Sequence, residues 1–147
     1  MSVILDVINK TSIPWETIND IIDYSGPEDL GEFVILVTDS DKDMAGGSDW
    51  RGDEFRINHY SIPFIRIETN PDLEYPFEIK GVENEGYRRY TVLDRNELVM
   101  YLIAHELRHL WRARREEVID RKAAETDSDD YAIKTIEEWR KMRGNST

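Results

Sequence analysis

Cysteine is absent from the 147 residues. That excludes a disulfide framework and removes thiolates from any metal-ligand set. Long apolar runs are missing too. No stretch reaches the length needed to span a bilayer, and the start Met1-Ser2-Val3-Ile4-Leu5-Asp6 lacks the pattern of a secretory signal. A cytoplasmic protein with no membrane partner is the expectation these absences leave. Positive charge is in short supply, with 19 Lys and Arg against 31 Asp and Glu and a net charge of -12. Such a balance argues against nucleic acid and anionic membrane surfaces as partners. Histidine is the scarcest chemically versatile residue, at three copies.

What is present fits one globular domain over residues 1–147, long enough to bury a core. Charge is unevenly spread. From Glu16 to Glu54 twelve acidic residues face only Lys42 and Arg51. From Arg108 to Lys122 the balance reverses, with Arg108, Arg112, Arg114, Arg115, Arg121 and Lys122 against Glu116, Glu117 and Asp120. A short first helix is expected from Ser12 as its cap, with Trp15, Ile18, Ile21 and Ile22 on one side and Gly26-Pro27 as its stop. Glu32 to Thr38 reads as a strand with an apolar centre, and Asp39 to Asp53 as a loop or long hairpin turn. Asp39, Asp41 and Asp43 have the spacing of a calcium loop, but the glycine and terminal glutamate such a loop needs are not at the required offsets. Phe55–Asn58, Ile62–Glu68 and Tyr75–Ile79 read as further extended pieces. The pattern predicts an α+β fold in which three or four largely antiparallel strands carry helices on one face.

Two of the three histidines stand in His105-Glu106-Leu107-Arg108-His109. Residues four apart share a helix face, so both imidazoles can reach one metal ion, and Glu106 can take a proton from water there. The motif needs a helix, and the local sequence provides one. Asp94 with Glu97 three residues on forms a capping-box-like start, and Leu93 with Leu98 can staple it. The run Leu98 to Ala104 is apolar almost all round, which implies burial on several sides. Burying a glutamate and two imidazoles beside such a run is costly unless something pairs with them, and a cation serves. The competing reading is a surface helix with two incidental histidines.

A catalytic zinc site takes three protein ligands. Glu125 ranks first as the third, Asp127 second and His59 third. Glu125 and Asp129 share a face of the following helix, so one can bind metal while the other orients an imidazole. Asp127 lies about 200° round from Glu125. Plain helix N-terminal electrostatics is the bland alternative for this acidic cluster.

These motifs resemble the zincin metallopeptidases, and within them the glutamate-ligand group known as gluzincins. That group carries H-E-x-x-H on one helix and E-x-x-x-D on the next. The segment from Glu125 to Ala132 also resembles the second motif of small bacterial and phage-encoded peptidases related to antirepressor-cleaving and stress-response proteases. The likeness covers about residues 94 to 140. It implies a minimal zincin-like fold, a Zn2+ cofactor, and peptide or protein substrates. It makes His105, His109 and Glu125 ligands, Glu106 the base, and Asp129 the partner of a ligand imidazole. The connection from His109 to Glu125 is short, and no histidine matches the third ligand of the metzincins. The resemblance also implies a second donor for the oxyanion, with Tyr131 ranked first ahead of Tyr101, Tyr90 and His59. Substrate is expected to lie along an edge strand, with Ile62 to Ile67 as the candidate and a buried central strand as its alternative. The chain's acidity leads one to expect basic residues beside the cleaved bond. The readings that compete with peptide hydrolysis are a zincin-shaped binding or regulatory module without turnover, and a hydrolase of a non-peptide amide.

Overall fold

The computed structural model describes residues 3–26, 32–49, 56–57, 60–61, 63–80, 86–117 and 119–144. Its elements run β1 (Val3–Lys10), α1 (Trp15–Ser25), β2 (Glu32–Asp39), β3 (Met44–Asp49), β4 (Arg56–Ile57), β5 (Tyr60–Ser61), β6 (Phe64–Thr69), β7 (Phe77–Ile79), β8 (Tyr90–Val92), α2 (Arg95–Arg114) and α3 (Arg121–Met142). The fold is α+β, as expected. Four strands in the order β1-β2-β6-β3 form one sheet, and β4-β5 and β7-β8 form two short ladders. Helix α2 packs on β3 and β6, with α1 and α3 alongside it.

The pairing corrects the expected antiparallel sheet. β1 runs parallel to β2 and β2 parallel to β6, and within this four-stranded sheet only the β3–β6 pairing is antiparallel. The physical reason is visible in β2, where Phe33, Val34, Ile35 and Val37 are all buried. A strand covered on both faces reads as a continuous apolar run rather than an alternation, which is the habit of parallel sheets. The strand β1 was not expected, because no element was read before α1. The edge assignment is also corrected. β6 lies inside the sheet, with Ile65 and Ile67 fully buried, and Ile62 lies outside the described residues. The edges are β1 and β3.

The strand β3 falls in the stretch read as a loop. Its Gly46-Gly47 pair is a poor strand former, yet both residues pair with β6, and Gly46 faces Glu106 of α2 at ordinary contact distance. A Cβ on Gly46 would sit 3.5 Å from Glu106 Cγ and 3.5 Å from Glu106 Oε1. Helix α1 is capped differently from expectation. Pro14 precedes it and its carbonyl accepts from Thr17 and Ile18, while Ser12 Oγ accepts from Arg95 Nη1 at 3.2 Å. Ile18, Ile21 and Ile22 are buried as read, and each such side chain contributes about 1.5–3 kcal/mol. Asp39 pairs with Arg95 at the start of α2. Among the described residues, no helix is long and apolar enough to cross a membrane.

Candidate metal centre

The site is carried by α2 and α3, and both helices start with an aspartate cap. Asp94 accepts from the Glu97 backbone N–H at 2.9 Å, and Glu97 Oε1 accepts from the Leu93 N–H at 2.9 Å. Asp120 accepts from the Ala123 N–H at 2.9 Å. Such caps satisfy donors that a helix start otherwise leaves open. The expected staple does not hold, because Leu93 is 50% exposed while Leu98 is fully buried. From this start α2 runs buried from Glu97 to Leu107. Arg140 near the end of α3 pairs with Glu97, so the two helices are tied at that end.

His105, His109 and Glu125 converge. Their ligand atoms all lie within 4.8 Å of one another. His105 Nε2 is 3.1 Å from His109 Nε2 and 3.1 Å from Glu125 Oε2, and His109 Nε2 is 3.2 Å from Glu125 Oε1. Asp129, only 2% exposed, holds His105 Nδ1 at 2.7 Å. A carboxylate only accepts, so the neutral His105 carries its proton on Nδ1 and presents a lone pair on Nε2. That lone pair faces Glu125 Oε2, a buried oxygen with no hydrogen-bond donor of its own. Lone pairs pointed at one another in a buried place repel, so this contact calls for either a second proton on Nε2 or a metal cation between the two atoms. Two imidazoles and a carboxylate suit zinc.

The electrostatics point the same way. Burial would lower the His105 imidazole, yet hydrogen bonds to Asp129 and Glu125 and the Glu106 charge push it up to about 9. Burial would raise the Glu125 carboxyl, yet His105 and His109 hold it well below the usual carboxylate range. The cluster draws positive charge to one point.

On the far side of His109, Nδ1 meets Arg112 Nη2 at 2.7 Å. The same Nη2 reaches Ser128 Oγ at 2.7 Å and the Ala124 carbonyl at 3.0 Å, and Nη1 pairs with Asp127. A guanidinium only donates, so in this contact His109 accepts at Nδ1 and carries its proton on Nε2, toward Glu125. A cation at Nε2 would displace that proton to Nδ1. The Arg112 guanidinium would then have to turn away, since two donors cannot share that contact.

The remaining expected residues are placed as follows. Asp127, ranked second as ligand, turns to Arg108 and Arg112. Tyr131 donates its hydroxyl to the Ser25 carbonyl at 2.7 Å, which corrects its assignment to the site. Tyr90 and Tyr101 stack with centroids 6.1 Å apart, their hydroxyls buried. His59 lies outside the described residues.

Glu106 is 8% exposed, and its Oε1 is 3.8 Å from His105 Nε2. It stands between two cavities. One of about 540 Å³ is walled by Gly47, Arg112, Ile119 and Arg121. The other, of about 380 Å³, is walled by Met44, Ile79, Lys80 and Leu102. Gly46, Tyr87, His105 and Glu106 belong to both. Sequence reasoning missed Gly46, Gly47, Tyr87 and Arg112 as parts of this place. Arg112 carried a usable signal, since it falls three residues after His109 and seven after His105, on the same helix face.

Asp129→Ala is expected to weaken zinc binding by about 10–100-fold, the usual effect of losing a ligand's orienting partner. Competition against a chromophoric chelator measures it.

No family model matches this chain, and no curated protein or solved structure proves similar to it.

Proposed function

We propose that this chain hydrolyses peptide bonds with a zinc ion held by His105, His109 and Glu125, and with Glu106 as general base. The observation that carries the reading is the convergence of three ligand atoms within 4.8 Å beside a buried glutamate. Zinc in such a site acidifies water and polarises a carbonyl. The chain's own residues supply the rest. The water oxygen bonds to the carbonyl carbon while Glu106 takes one of its protons. The C–N bond then breaks with its electron pair on nitrogen, and Glu106 returns the proton there. The products are a carboxylic acid and an amine. Asp129 keeps His105 in one tautomer throughout.

Substrate would lie extended along β3, the sheet edge beside α2, using backbone hydrogen bonds for affinity. The glycines at Gly46 and Gly47 keep that edge free of side chains where it passes Glu106. The cavity walls carry both signs of charge, with Arg112, Arg121, Lys80 and Arg88 beside Glu106, Glu117, Glu125 and Asp129.

A cleavage screen over a random peptide library, with the zinc-loaded protein and the chelator-stripped protein side by side, tests the reading. Cleavage products are expected only with zinc. If zinc-loaded protein left the whole library intact, hydrolysis would give way to a binding role.

A further inference from the structure

Hydrolysis of a peptide bond is helped by a fixed donor aimed at the carbonyl oxygen, where negative charge gathers during attack. Among the described donors beside Glu106, Arg112 and Arg121 line one cavity, and Lys80, Arg88 and Tyr101 line the other. Tyr131 and Arg112 have the partners given above. Arg88 pairs with Asp130, Nε to Oδ1, at 3.0 Å. The Tyr101 hydroxyl is buried beside Asp129.

Tyr87 differs from all of these. It lines both cavities. Its ring lies nearly parallel to the His105 ring, 13° apart in plane with centroids at 6.5 Å. Its phenol interacts with the Glu125 carboxylate and the Arg121 guanidinium. The backbone that carries it is pinned to α3 on both flanks. Thr126 Oγ1 donates to the Gly86 carbonyl at 2.6 Å, and the Arg88 N–H donates to Asp129 Oδ2 at 2.8 Å. Gly86 has φ +95°, and a Cβ there would come within 2.2 Å of the Lys122 carbonyl oxygen. Only glycine lets the chain come this close to α3 in that conformation. Asp129 thus orients both His105 and the segment that holds Tyr87.

We propose that Tyr87 is a catalytic residue whose hydroxyl donates a hydrogen bond to the scissile carbonyl oxygen as charge develops on it. This rests on the hydrolytic reading above. The phenol keeps its proton through the reaction and exchanges the Glu125 carboxylate for the substrate oxygen as acceptor. Because Gly86 and Arg88 are anchored, little has to reorganise when the charge appears, which is the condition under which such a donor is effective.

The test uses the full zinc-loaded chain and acetohydroxamate, an anion whose carbonyl oxygen stands in for the scissile carbonyl oxygen. Tyr87→Phe should weaken acetohydroxamate binding by about ten- to hundred-fold, the effect of a hydrogen bond to a charged group. Zinc affinity should stay at the parental value. On a cleaved peptide, kcat should fall by about 10²–10³-fold with KM little changed. A Phe variant with parental acetohydroxamate affinity would overturn the assignment. So would a loss of zinc affinity in parallel, because Tyr87 would then act by positioning Glu125. A parental protein that bound zinc and acetohydroxamate yet cleaved no peptide would instead sink the hydrolytic reading.

Discussion

Protein reconstituted with zinc and freed of excess metal is expected to retain about one equivalent, and His105→Ala or His109→Ala to retain close to none. Each imidazole provides one of three ligand atoms around a common point, and two remaining ligands do not fill a structural set. Glu125→Ala should lose nearly as much affinity. Asp127→Ala is the control. Its carboxylate is engaged by Arg108 and Arg112 of α2 and is not among the three converging ligand atoms, so zinc retention should survive with at most a modest decline. Elemental analysis after gel filtration reads all four variants. Zinc lost from Asp127→Ala but kept by Glu125→Ala would reverse the ligand assignment, and no zinc in the parental protein would end it.

Glu106→Gln should keep its zinc and lose turnover by about 10²–10⁴-fold, the contribution typical of a positioned general base. The two side chains are nearly the same size, so packing against Gly46 is preserved. What the amide lacks is a lone pair basic enough to take a proton from water. Zinc content and single-turnover cleavage, measured on one preparation, separate the two effects. Parental turnover in this variant would rule out Glu106 as the base.

The parts of the site that could be read from sequence are those fixed within one helix. The His105–His109 pair, the Asp94 cap and the Glu125–Asp129 pair all follow from spacings of three and four residues. The same geometry bears on two lower-ranked or loosely assigned residues. Asp127 is about 200° round from Glu125, and Tyr131 about 240° round from it. Nearness in sequence to a ligand therefore placed neither side chain in the site, and Tyr131 faces Ser25 instead. The remaining parts depend on contacts between distant segments. β1 gains its place only through parallel pairing with β2. β3, despite its two glycines, gains its place through antiparallel pairing with β6. Tyr87 reaches the site through anchors on α3, about 40 residues further along the chain. β1 did carry a usable signal in its apolar run Val3-Ile4-Leu5 and Val7-Ile8, whereas β3 and Tyr87 have no local periodic signal.

The ligands are divided between α2, which carries His105 and His109, and α3, which carries Glu125. A metal bound to all three therefore favours states in which the helix hairpin is closed and gains little from states in which it is open. Metal occupancy and hairpin closure are then linked equilibria. At a free-ion concentration of a hundred times the dissociation constant, binding adds about 2.7 kcal/mol to the closed state. That is a sizeable share of the stability of a small domain, which runs to about 5–15 kcal/mol. A chelator would then act on this protein as a mild denaturant, and the free zinc level around it would help set how long the folded chain persists.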